Sequence, residues 1–337
     1  MNKFRFYFIL TITTLSLFSC SKNDVAQVEP LRDYAVQFTA DNLVIEEYLN
    51  SYYMTVTNNP GATDDQDVEF TKIPAGGSQP SIMSYLNKST YPKLLVRNVL
   101  LHDITYKMYY LVLRPGTGES PCNIDGVLTS YKGTYLQNNK VDEVTTLSAT
   151  SFEEVIYPQQ FLGLFNTISG WGEIFPQFRT GDAPISNSDG TFTYNNFGAG
   201  VMFIPSGLAY YASGSGTIPT YVPLIFKFKL YAIQRSDLDG DGIPSYLEDL
   251  DGDGYIYNYL NKSLYPTAPA DNILYVDDTD KDGIPNSLDV DDDADGISTR
   301  KEITAADGTI IPFASIPDCS GNTTNPARIK RHLVKCP

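Results

Sequence analysis

At 337 residues the chain is long enough for more than one domain, and an apolar fraction of 42% supports an ordinary buried core. A formal charge of −16 excludes a nucleic-acid binder of the usual kind, because a phosphate backbone is met by clusters of Lys and Arg that this sequence lacks. Only two histidines, His102 and His332, are present, which leaves little material for a zinc site or a Ser-His-Asp triad.

The chain opens with Lys3 and Arg5, an apolar run from Phe6 to Phe18, then Ser19 and Cys20. This is the layout of a secretion signal over residues 1–19, too short to span a bilayer. Its ending, Leu17-Phe18-Ser19-Cys20, resembles a bacterial lipobox, which implies lipid attachment at Cys20 and a lipoprotein of the cell envelope, expected at the outer membrane. Residues 20–37 read as a tether and 38–97 as an N-terminal extension. Within the extension, Leu43, Ile45, Leu49, Tyr52 and Tyr53 recur near helical spacing between Ala40 and Met54, with Asp41 as the expected N-cap. The Gly, Pro, Asp and Asn content from Asn58 to Pro80 predicts loop.

Strand patterns start at Thr105 to Leu113, closed by a Pro-Gly-Thr-Gly turn, and return at Gly126 to Leu136, Val201 to Ile204 and Pro223 to Ile233. Between them "GWGEIFPQFRTG" reads as one short helix. Cys122 reads as a small buried hydrophobe, since nothing nearby would lower its pKa.

This region resembles the FK506-binding-protein (FKBP) family of peptidyl-prolyl isomerases through an ordered series of motifs. "YYLVLRPGTGESP" is similar to the family's first strand and turn, "DGVLTSYKGTYL" to its Asp-x-Val-x-x-x-Tyr-x-Gly strand, and "KVD" to the Phe-Asp that follows. "TISGWGEIFPQFRTG" resembles the Val-Ile-x-Gly-Trp helix start, "FIPSGLAYY" the Ile-Pro-x-x-Leu-Ala-Tyr loop, and "GTIPTYVPLIFKFKLYAI" the Ile-Pro loop and last strand. The resemblance covers residues 106 to 233 and implies an α+β fold, an antiparallel β half-barrel wrapped on a short helix, within a domain at 98–235. It also implies a pocket built from Tyr131, Ile168, Trp171, Tyr210, Ile218 and Phe226, with Asp142 as its carboxylate. In that assignment Trp171 is the floor, Tyr131 and Phe226 are walls, and the Ile168 N–H and Tyr210 hydroxyl hold substrate carbonyls. Each aromatic taken singly fits a β core as well as a site. Departures bear on turnover: Val141 replaces the usual Phe, Val144 to Leu164 offers only Phe161 for the usual aromatic, "SDGTFTYNNFGAGVM" adds an extended stretch, and no large residue stands near Ser215. The implied function is isomerisation of X-Pro bonds in exported polypeptides. The alternatives are a catalytically weak binding subunit of a secretion or motility assembly, or a calcium-dependent structural or adhesion lipoprotein.

The charge is concentrated in residues 237 to 302, where sixteen Asp and two Glu face four Lys or Arg. Asp237, Asp239, Asp241, Gly242 and Glu248 fit the calcium-loop pattern D-x-D-x-D-G-x5-E, in which alternate oxygens converge on one ion, Gly permits the sharp turn and the last carboxylate closes the shell. Asp291, Asp293, Asp295 and Glu302 form a second copy, and Asp278, Asp280, Asp282 and Asp289 a third. Asp249, Asp251 and Asp253 begin a fourth that has Leu260 in the closing place, and so is either incomplete or shares Glu248 or other ligands. Because Pro244 and Pro285 follow the glycines, EF-hand helices are not expected, and the "DGIP" units resemble thrombospondin type 3 repeats. That likeness implies structural Ca²⁺ across 236–303 and a stiff extension or docking surface. In the closing segment, 304–337, a disulfide between Cys319 and Cys336 is the expected clip.

Overall fold

The structure is a computed structural model that describes residues 30–141 and 144–337; the signal, Cys20 and Asp142 lie outside the described residues. Helix α1 (Tyr34–Ser51) starts and ends earlier than its apolar spacing predicts. The reason is its cap: Asp33, not Asp41, accepts the Val36 N–H at 3.0 Å. Asp41 is instead buried in mid-helix, where one carboxylate oxygen accepts the Ser206 N–H at 2.7 Å and the Ser206 hydroxyl at 2.6 Å. Tyr52 and Tyr53 leave the helix and open strand β1 (Tyr52–Val56), which pairs antiparallel with β2 (Val68–Lys72) inside the stretch expected to be loop. The run Tyr-Tyr-Met-Thr-Val has strand propensity that outweighs its accidental helical phase once a partner is present.

The main sheet holds β3 (Lys93–Leu101), β4 (Ile104–Arg114), β5 (Gly126–Val141), β6 (Val144–Val155), β7 (Leu162–Gly163), β10 (Gly198–Ile204) and β11 (Leu224–Gln234); β8 (Ile185–Ser186) and β9 (Phe192–Thr193) form a small separate ribbon. Its order is β3-β4-β10-β11-β5-β6, all antiparallel, with β7 on the edge of β5. The sheet begins before the expected boundary at residue 98, since β3 pairs with β4 from Lys93 onward. The expected α+β half-barrel is borne out, with α2 (Ser169–Ile174) as its short helix.

Both faces of the sheet are covered. Tyr110, Val112, Met202, Ile204, Phe226 and Phe228 point to the side of α2, where they pack with Trp171, Ile174, Phe175 and Phe178. Their alternates Tyr109, Leu111, Val201, Phe203 and Ile225 point the other way, onto Ile45, Leu49 and Val68 of α1 and the β1-β2 hairpin. This two-sided burial explains why β10 is apolar along its whole length and buried at every residue. Gly170 lets α2 sit against β10, for a Cβ there would lie 2.6 Å from Ile204 Cγ2.

Beyond Gln234 the chain does not project as a stiff extension. Residues 254–267 pack along the β domain, burying Tyr259 and Tyr265 in the same core as Trp171. Near the C-terminus Cys319 and Cys336 form the expected disulfide, with Cα atoms 5.4 Å apart. Cys122 is a buried free thiol whose pKa burial pushes up to about 12, as its inert assignment requires.

Candidate functional site

A cavity of about 580 Å³ opens between β5, β11 and the start of α2. Tyr131, Ile168, Trp171, Tyr210 and Phe226 all line it, so five of the seven expected pocket residues come together. Tyr131 and Phe226 stand on paired strands, Tyr131 opposite Phe228 and Phe226 opposite Gly133. The indole of Trp171 meets the Tyr131 ring at 5.1 Å and 82° and the Phe226 ring at 5.2 Å and 88°, edge-to-face contacts that suit aromatic quadrupoles. Trp171 is 4% exposed and forms the floor; its indole N–H is buried with no acceptor among the described residues.

At the rim, Ile168 is the residue before α2, with an extended ψ of 144°. The half-buried Tyr210 follows the turn Ser206–Leu208, which Asp41 of α1 holds by its two bonds to Ser206. The N-terminal helix thus fixes a wall of the site from the far side of the sheet. Burial, then the neighbouring Glu153 carboxylate, raises the Tyr131 hydroxyl to about 12, keeping it a neutral donor.

Two expectations are corrected. Ile218 does not line the cavity: its N–H closes a tight turn to Ser215 O at 2.8 Å and its side chain joins the domain core. Phe161 is 39% exposed; the aromatic that this segment supplies is Phe152, whose ring meets Phe226 at 5.6 Å. Asp142 lies outside the described residues, and the carboxylate that lines the cavity among them is Glu153.

One wall comes from a part of the chain that motif reasoning assigned elsewhere. Leu264, within the Asp-rich segment, lines the cavity beside Trp171 and Tyr210. Its carbonyl accepts the His102 N–H at 2.7 Å. A buried network anchors the same segment to α2: Arg97 Nε donates to Glu173 Oε2 at 2.7 Å, and the Tyr257 hydroxyl donates to Glu173 Oε1 at 3.0 Å. The Tyr255 hydroxyl reaches the Glu173 carbonyl at 2.9 Å, and the Arg97 guanidinium lies 3.6 Å from the Tyr255 ring centre. The tyrosines of "YIYNYL" were the available signal, since such rings seldom cluster in a solvated linker.

The acidic loops share one geometry. In each, the first Asp accepts the N–H of the sixth-position glycine: Gly242 to Asp237 at 3.2 Å, Gly254 to Asp249 at 2.7 Å, Gly283 to Asp278 at 2.8 Å and Gly296 to Asp291 at 3.0 Å. Those glycines have φ between +87° and +107°, a left-handed turn that disfavours a side chain. The first, third and fifth carboxylates of every loop lie within 4.8 Å of one another: Asp237, Asp239 and Asp241; Asp249, Asp251 and Asp253; Asp278, Asp280 and Asp282; Asp291, Asp293 and Asp295. Of the expected closing ligands, Glu248 lies within 4.8 Å of Asp241 in its own loop, and Glu302 faces the charges of Asp293 and Asp295. Burial and then the Asp241 charge push Asp239 up to about 7, while burial pushes Glu302 up to about 7 with Asp293 adding to it. Buried oxygens on Asp239, Asp291, Asp293 and Glu302 have no donor among the described residues, and hard oxygen donors of this kind fit calcium.

The antiparallel sheet, its short helix and the ring-lined cavity form the α+β half-barrel that the FKBP resemblance implies. The chain is similar to an FKBP-type peptidyl-prolyl isomerase: it is 31% identical over 134 residues to the FKBP-type peptidyl-prolyl cis-trans isomerase FkpA of Aeromonas hydrophila, across 40% of this chain and 41% of that one. It therefore spans about two fifths of the curated relative it matches. Among solved structures, a peptidyl-prolyl cis-trans isomerase of Pseudomonas syringae pv. tomato str. DC3000 is similar with 25% identity and a TM-score of 0.28, over 44% of this chain and 85% of that one. FkpA from Escherichia coli is similar with 22% identity and a TM-score of 0.29, over 43% and 53% of the two chains. Residues 238–326 match the family described as BamM C-terminal, a match that takes in three of the acidic loops and all of the first but Asp237.

Proposed function

We propose that this protein is an envelope-anchored peptidyl-prolyl cis-trans isomerase acting on X-Pro bonds of exported polypeptides. The observation that carries the reading is the cavity floored by Trp171 and walled by Tyr131 and Phe226. Rotation about an X-Pro bond breaks amide resonance against a barrier of about 18–20 kcal/mol. The twisted amide separates less charge than the planar one, so a water-poor, ring-lined cavity favours it without acid, base or metal. The proline ring rests on Trp171, and the Tyr210 hydroxyl and Ile168 N–H donate to flanking carbonyls. Unaided isomerisation takes tens of seconds, slow enough for a catalyst held where exported chains arrive to matter. Acylation at Cys20 would supply that position, at the outer membrane. Calcium bound by the Asp-rich loops would order the segment that carries Leu264 to the cavity.

A proline-limited refolding assay tests the activity. The intact protein accelerates the slow phase, Trp171→Ala abolishes the acceleration and Tyr210→Phe lowers it severalfold; a wild-type rate equal to background sinks the enzymatic reading. The displacement of Ile218 from the cavity favours one second reading, a module that binds proline segments without turning them over. Peptide binding without acceleration in the same assay would single it out.

A further inference from the structure

One group of carboxylates belongs to no single loop. Asp241 and Glu248 come from the Asp237 loop and Asp292 from the Asp291 loop, yet each offers an oxygen within 4.8 Å of the other two. All three are buried, at 3%, 2% and 1% exposure. Both oxygens of Glu248, both of Asp292 and Oδ2 of Asp241 have no donor among the described residues. Arg300, the nearby guanidinium, donates to the Gly240 carbonyl at 2.8 Å. That single guanidinium acts on Asp241 and cannot neutralise three buried carboxylates, which in such a state are ordinarily paired or bound to metal.

Asp292 is also in excess of what its loop requires. It occupies the second position, where the Asp237, Asp249 and Asp278 loops carry Leu238, Leu250 and Thr279. The backbone duty of that position recurs in three of the loops: Leu238 N–H donates to Ser245 Oγ at 3.0 Å, Thr279 N–H to Asn286 Oδ1 at 2.9 Å and Asp292 N–H to Thr299 Oγ1 at 3.1 Å, while Leu250 N–H donates to Asp277 Oδ1 at 2.8 Å. No carboxylate is needed for it. The extra charge faces the site formed with Glu248 and Asp241.

We propose that Asp241, Glu248 and Asp292 hold one buried calcium ion shared between the first and last acidic loops, closing the Asp-rich segment end to end. Oxygen-only donors disfavour zinc, and calcium accepts irregular shells of six to eight oxygens where magnesium demands near-octahedral geometry and keeps its waters. Asp241 also faces Asp237 and Asp239, so it connects this ion to the one in its own loop. The inference rests on the reading of the tail as calcium-ordered.

Calorimetric titration of the full chain with Ca²⁺ after chelator treatment, together with thermal melts, tests it. Asp292→Asn is expected to lose one equivalent of bound calcium or weaken it at least tenfold. In chelator the same variant is expected to melt above wild type, because a buried charge is gone, and to gain less from calcium. Asp271→Asn, an exposed acid outside every cluster, leaves all of these at wild-type values. Wild type that binds no calcium overturns the ordered-tail reading and this site with it. Wild type that binds calcium, with Asp292→Asn equal to it in stoichiometry and affinity, overturns the shared site alone. Isomerase rates on the calcium-saturated samples report on the cavity separately.

Discussion

The ring-lined cavity and the acidic loops are built by opposite means. Tyr131, Trp171, Tyr210, Phe226 and Leu264 come from five separate segments, and only sheet register and helix packing bring them together. Each acidic loop is a local device, whose first Asp takes the glycine N–H five residues on. Apolar rings are driven together without a ligand, whereas clustered carboxylates repel until a cation arrives. The first kind of site is as stable as the fold; the second depends on the solution around it. Between them the Tyr255–Tyr265 stretch joins both, packed on α2 and bounded by acidic loops.

Calcium removal should break the comparison most forcefully. One site saturated about a hundredfold above its dissociation constant contributes about 2.7 kcal/mol, so emptying several loops is expected to unfold the tail while the sheet stays folded. Limited proteolysis with and without chelator checks this, with cleavage confined to residues after Gln234. Next in size, Arg97→Ala leaves Glu173 buried and uncompensated, a cost of about 3–5 kcal/mol. Thermal melts should show that loss, with the tail released from α2 even when calcium is saturating.

Acid should act on the β domain through His102. Burial lowers its pKa to about 4, its ring stacks on Tyr34 at 3.7 Å, and its Nδ1 shares a hydrogen bond with the Tyr106 hydroxyl at 3.0 Å. A histidine with a depressed folded pKa is protonated more readily when unfolded. The contribution of His102 to stability therefore falls as pH drops from about 6.5 toward 4, by about 2 kcal/mol between pH 7 and pH 5. Denaturant midpoints of wild type and His102→Gln across that window check it by their difference, which cancels the parallel contribution of the buried His332, also lowered to about 4, and the opposite one of the raised Asp239 and Glu302. The smallest expected effect sharpens the comparison: Leu264→Ala, at a half-buried position, should cost about 1 kcal/mol in stability and weaken peptide binding severalfold with calcium affinity unchanged. Isotherms for a proline peptide and for calcium on the same variant separate the two.

Much of this was legible in the sequence because the signals are local. Alternating apolar residues set β4, β5 and β11, an unbroken apolar run sets β10, and the Gly-Trp helix start, the Asp spacing and the cysteine pair all act within short windows. Where the local signal was ambiguous, tertiary structure decided. Lys93 to Leu101 became a sheet strand by pairing with β4, and Asp41 left its expected cap to bind Ser206 across the fold. Ile218 turned into the core because its own turn points it there.

By itself the sequence determined which residues could be rings in a pocket and which could be ligands in a loop, since both follow from residue type and near-neighbour spacing. Only the tertiary structure decided that Leu264 joins Trp171 and that Asp241 and Glu248 of the first loop meet Asp292 of the last. Both contacts join segments far apart in the chain, and such approaches are set by how whole elements pack rather than by any local pattern.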